Sequence, residues 1–159
     1  MRSVDEWFHL YGESHQNPTN KLIHWICIPL IMFSLLGLLK SIPVPEVFPS
    51  QFDFSWLLIV GAFIFYLMLS WQLSIGMLCV VAIMLLGLKI LKDAGVNLLM
   101  VSLVIFFVSW IFQFIGHKIE GKKPSFFTDL QFLLIGPLWL LGFIYRRLGI
   151  RYSSQKVKA

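Results

Sequence analysis

The chain has 159 residues, 58% of them hydrophobic and 13% charged, against about 45–50% and about 25% in soluble domains. This composition excludes a water-soluble globular fold. The net charge of +5 does not point to nucleic acid, because the basic residues sit at the ends of apolar runs and in the tail, where membrane proteins carry them.

Residues 1–20 alternate polar and aromatic side chains, with Trp7, Phe8, His9 and Tyr11 leading to His15. The pattern predicts a short helix lying in the membrane interface with its rings at headgroup depth. No secretory leader pattern precedes the first apolar run, which is therefore expected to be retained as a span over about 22–39, kinked at Pro29. Pro43, Pro45 and Pro49 mark an extended connector. The apolar stretch from Phe54 to Leu91 is about twice the length one crossing needs. It divides at Trp71, Gln72 and Ser74 into spans at about 55–70 and 74–91, and a further span follows at about 97–115. Residues 126–145 form either a fifth span or a re-entrant hairpin broken at Gly136-Pro137, and 146–159 is a basic tail. The expected architecture is thus all-α, an integral membrane helical bundle in one domain of residues 1–159. It has four full spans plus a fifth or a re-entrant piece. Cys27 and Cys79, both inside apolar runs, read as buried free thiols.

The chemistry is expected where the polar residues gather. A helix starting near Pro18 puts Asn20 and His24 on one face, four residues apart, with His15 just ahead of it. Gln113 and His117 repeat the spacing at the end of a later span. Four crossings return the chain to its starting face, so the two ends can be neighbours. Strongly polar side chains at span ends are functional candidates, since burying them unpaired is costly. Neutral imidazoles are good ligands for iron or zinc, and three of them leave coordination positions open. His15, His24 and His117 are therefore the expected metal ligands and catalytic centre. Asn20, Gln113 and Glu120 are expected around the ion, orienting the rings through their second nitrogens. His9, without an inward partner, reads as an ordinary interfacial histidine. Two other function classes fit the same residues: a non-enzymatic transporter or assembly factor with structural histidines, and a b-type haem protein with two axial histidines.

Two segments carry a family resemblance. Y-G-E-S-H-Q-N-P-T-N-K-L-I-H-W-I-C-I-P from Tyr11 to Pro29, and W-I-F-Q-F-I-G-H-K-I-E-G-K-K-P from Trp110 to Pro124, are similar to the signature segments of the fungal and bacterial 2-hydroxy fatty acid dioxygenases. The resemblance implies a small multi-span membrane enzyme. It would use iron(II) and dioxygen to shorten a 2-hydroxy fatty acid by one carbon, in the inner membrane if bacterial and the endoplasmic reticulum if fungal. It places the family's histidines on His15, His24 and His117, with Asn17, Asn20, Gln113 and Glu120 also at matching positions. Gln16 stands where the fungal pattern has a second histidine, and the loop after His117 is one residue shorter here. Lys21, Lys118, Lys122 and Lys123 are placed either to attract the substrate carboxylate or simply to anchor the chain at the membrane surface.

Overall fold

The computed structural model describes residues 2–49, 51–123 and 131–153. Its elements are α1 (Val4–Glu13), α2 (Pro18–Lys40), α3 (Ser55–Leu69), α4 (Trp71–Asp93), α5 (Leu98–Glu120) and α6 (Phe132–Arg147), with no strand among the described residues. Parts of two expected elements, residues 124–130 and the tail from 154 with Lys156 and Lys158, lie outside the described residues.

Three helices, α2, α4 and α5, are long and apolar enough to cross a membrane. Each has 23 residues, or about 35 Å at 1.5 Å per residue, against a hydrocarbon core of about 30 Å. Helix α3 is apolar but has only 15 residues, about 22 Å on the same rise. Of the expected four full spans plus a fifth or a re-entrant piece, three are matched among the described residues by helices of span length, and α3 stands as a shorter apolar helix at the place of the span expected over about 55–70.

The α2–α5 pair forms the spine. The two run antiparallel: Asn20 faces Gly116 at one end and Gly37 faces Ser102 at the other. Small buried side chains, Ser34, Ser102 and Ser109 among them, let the backbones approach closely, the usual device where lipid removes any hydrophobic drive between helices. Helices α3 and α4 form a hairpin at Ser70, whose hydroxyl accepts the Leu73 N–H and caps α4. At the far end of the bundle Leu36, Ile59 and Leu88 make a small core, and Lys40 pairs with Asp53 at 2.5 Å to close the connector. Large apolar side chains on the outer faces of α3, α4 and α5, such as Leu57, Ile83 and Phe107, are exposed, as a lipid-facing surface requires. Cys27 is buried, whereas Cys79 is on that exposed surface, which corrects the expectation for the second thiol.

Helices α1 and α6 pack on each other. Trp7, Phe8 and Tyr11 are buried in the protein. Trp7 packs edge-on to Phe132 at 5.1 Å, and Phe8 fills the space a side chain on Gly142 would need. Helix α6 runs unbroken through Pro137, so Gly136-Pro137 does not divide a re-entrant hairpin. Its 16 residues are largely covered by protein. At its end the Tyr145 hydroxyl donates to the Gln72 carbonyl, and the Ser70 hydroxyl donates to that of Tyr152. These bonds bring Arg146, Arg147 and Arg151 to the end of the bundle that carries Lys118, Lys122 and Lys123.

Candidate metal centre

The centre forms where three polar segments converge. Asn17 caps α2, its side-chain oxygen accepting from the Thr19 and Asn20 amides at 2.9 and 3.4 Å, and Pro18 takes the first helical position, where a missing N–H costs nothing. That start sets Asn20 and His24 on the inward face, 0% and 2% exposed. His15 is held in the turn before it, 1% exposed. Helix α5 presents Gln113, Gly116 and His117 on its buried face and stops at Gly121, whose φ of 71° is the left-handed cap.

The three imidazoles meet edge to face. Ring centroids are 4.3 Å apart for His15 and His24, 5.1 Å for His15 and His117, and 4.9 Å for His24 and His117. One nitrogen from each lies within 4.8 Å of the others.

The ring orientations fix which nitrogens are available. His15 Nδ1–H donates to the Tyr11 carbonyl at 2.5 Å, and His24 Nδ1–H to the Asn20 carbonyl at 2.9 Å. In each ring the Nε2 lone pair is then the one left to bind, the tautomer control common behind metal-bound histidines. His15 Nε2 and His117 Nδ1 are buried without a hydrogen-bond partner among the described residues. Such atoms cost free energy unless something binds them, and a cation ligated by imidazole satisfies them. Burial holds the His15 imidazole down to about 4 against the pull of the Tyr11 carbonyl and Glu120, so it is neutral and able to ligate at physiological pH. The donor set therefore suits iron or zinc on chemical grounds. The crossed rings leave no slot for a macrocycle between them, which disfavours the haem alternative.

The expected surrounding residues behave differently from one another. Asn20 does orient His24, through its backbone carbonyl rather than its amide. Its side chain instead donates to the Ser14 carbonyl at 3.3 Å and to Glu120 Oε2 at 3.0 Å. Glu120 accepts two further bonds, from the Gln16 and Asn17 amides at 2.8 and 2.9 Å. It clamps the end of α5 to the turn carrying His15 and makes no hydrogen bond to any of the three rings among the described residues. Gln113 is buried beside His117 and lines the cavity next to the rings. Lys122 donates to the Glu13 carbonyl at 2.6 Å. His9 is exposed, 3.5 Å from Glu13.

Sequence reasoning left the role of Tyr11 ambiguous and missed Trp139. Tyr11 stacks on His15 with centroids 4.1 Å apart, and Trp139 flanks the same ring at 5.8 Å. The four-residue spacing of Tyr11 and His15 was a visible signal for the carbonyl contact. Nothing in the sequence could bring Trp139 there.

A cavity of about 70 Å³ adjoins the imidazoles, and a second of about 530 Å³ runs between α2, α3, α4, α5 and the start of α6. They share Ile31, Met32, Trp110, Leu133 and Pro137 as walls.

Comparison with known proteins converges on one group. Residues 1–148 match the family model described as 2-hydroxy-palmitic acid dioxygenase Mpo1-like. The chain is 33% identical over 141 residues to the 2-hydroxy-palmitic acid dioxygenase MPO1 of Saccharomyces cerevisiae, a match covering 87% of this chain and 78% of the yeast protein. No solved structure matches.

Proposed function

The chain belongs to the 2-hydroxy-palmitic acid dioxygenase Mpo1-like family, and from that premise we propose that it is an iron(II)-dependent dioxygenase of membrane-dissolved 2-hydroxy fatty acids. The reaction would break the C1–C2 bond of the substrate and yield the fatty acid one carbon shorter; one dioxygen takes up the four electrons released, and the balance closes with C1 leaving as carbon dioxide and one water formed.

The observation that carries this reading is the buried trio of imidazoles beside an apolar cavity at one end of a bundle of lipid-length helices. His15, His24 and His117 are the residues that would hold the iron. When bound, iron(II) supplies the redox chemistry that lets dioxygen react with an organic substrate, and three protein ligands leave it open positions. The Tyr11 and Asn20 carbonyls hold two rings in the ligating tautomer before any metal arrives. The aromatic cover of Tyr11, Phe132 and Trp139 keeps bulk water from the centre. The Gln113 amide, on the wall of the small cavity, is positioned to take part in binding a polar head. Lys21 and Lys118, at the same end, favour a carboxylate there over an uncharged head.

Purified protein assayed under air with a 2-hydroxy fatty acid, with and without a chelator, tests the reading. It should contain iron and release the acid shortened by one carbon. The chelator should abolish turnover and added iron(II) should restore it. Preparations replete with iron that leave the 2-hydroxy acid intact would overturn the assignment.

A further inference from the structure

Resting on the reading above, we propose that the larger cavity is the channel for the acyl chain of the substrate, and that Val81 at its far end sets the longest chain accepted. The cavity walls are almost entirely carbon, from Leu35, Leu36, Ile59, Ala62 and Val81 to Phe106. It adjoins the histidine cavity across Ile31, Met32, Trp110, Leu133 and Pro137. A chain whose head group lies at the imidazoles therefore has, among the described residues, an apolar way onward between the helices.

Length supports the same occupant. Helix α2 passes the histidine centre at His24 and the end of the cavity at Leu36, a run of about 18 Å along its axis. A carbon chain with bonds of about 1.5 Å advances about 1.3 Å per methylene when extended, so the channel takes about 14 methylenes. At that depth Leu36, Ile59 and Leu88 form a closed core with Val81 packed against it. Moving a lipid chain from bilayer to apolar cavity gains nothing from the hydrophobic effect, because the surroundings are equally apolar. Discrimination by length then comes from contact along the walls and collision with the end wall. A groove filled only by bulk lipid would show no such discrimination.

The test uses the full chain in lipid nanodiscs with 2-hydroxy acids of increasing length. For the wild type, kcat/KM should fall at least tenfold for chains well beyond the channel's reach. Val81→Phe should move that fall to shorter chains. Ala62→Phe, one turn nearer the histidines on α3, should move it further, by about four methylenes per turn of about 5.4 Å; it serves alone if Val81→Phe does not fold. Leu57→Phe, on the exposed face of α3, should leave the profile unchanged. Identical profiles in all four proteins would overturn the channel while leaving the dioxygenase reading intact. If no acid is turned over, thermal stabilisation by the same acids decides: a length dependence shifted by Val81→Phe upholds the channel, and a flat response overturns it.

Discussion

The ring of Tyr11 lies on the ring of His15 at 4.1 Å, 10° from parallel, while the Tyr11 carbonyl accepts the Nδ1 hydrogen of the same imidazole at 2.5 Å. One residue thus sets both the plane and the tautomer of an imidazole in the candidate metal centre. Substitution separates the two effects, because only the stack depends on the side chain. Tyr11→Phe should keep iron and most stability. Tyr11→Ala removes a fully buried ring and should cost about 3–5 kcal/mol and weaken iron retention. Melting temperature and iron content measured on the same samples check both; unchanged iron in a folded Tyr11→Ala protein would show that the stack is dispensable.

His24→Ala and His117→Ala should each lose iron and turnover, because each removes one of the three imidazoles that make up the cluster among the described residues. His9→Ala, at an exposed position, should lose neither. Metal analysis of the purified variants decides, and full iron in the His117 variant would break the proposed ligand set.

Glu120 acts at the junction of chain segments about a hundred residues apart. Hydrogen bonds to a charged group contribute about 1.5–3 kcal/mol each when buried, and partial exposure reduces that here. Glu120→Ala should therefore destabilise the protein by about 1–3 kcal/mol and weaken iron binding by letting the His15 turn move. Glu120→Gln, keeping one carbonyl acceptor, should fall between. A direct ligand would behave differently: iron would be lost with stability hardly changed.

The metal-free protein should lose stability as the medium is acidified. Folded His15 takes up its proton only near pH 4, against about 6.5 for the ordinary imidazole. Between those values the unfolded chain binds the extra proton and the folded one does not, so stability declines as the pH falls from about 6.5 toward about 4 and is flat above it. Thermal melts of chelator-treated protein across that range should show the slope, and His15→Asn should make it shallower. An equal slope in the variant would place the linkage elsewhere.

The histidine end should face the cytoplasm. Lys21, Lys118, Lys122 and Lys123 flank it, and Arg146, Arg147 and Arg151 join them through the packing of α6. At the opposite end Lys40 and Lys89 are paired with Asp53 and Asp93. Cytoplasmic enrichment of basic residues then sets the orientation. Single cysteines introduced at Lys122 and at Glu46 should react with an impermeant thiol reagent from opposite sides of sealed vesicles; the reverse labelling pattern would invert the assignment.

Much of this protein was readable without coordinates. An apolar run of span length next to a capped, proline-started helix determines where a chain must be helical, since lipid offers no partner for unpaired backbone groups. The recurrence of a polar residue and a histidine at four-residue spacing, with the crossing parity, was enough to bring His15, His24 and His117 together as candidates. The signature segments around them carried the family. The roles of Asn20 and Glu120 were not readable, because residue identity does not say whether a side chain or a backbone carbonyl makes the contact. The placement of α1 and α6 also escaped local pattern. Trp7, Phe8 and Tyr11 suit an interface and a protein core equally well, and only the glycines of α6, which leave room for Phe8 and for the Tyr11 hydroxyl, decide for the core. The chain's own chemistry determined the helices and which histidines could gather. The tertiary packing decided which nitrogens are free, what covers them and how deep the cavity beside them runs, because those depend on contacts between segments that no local sequence window contains.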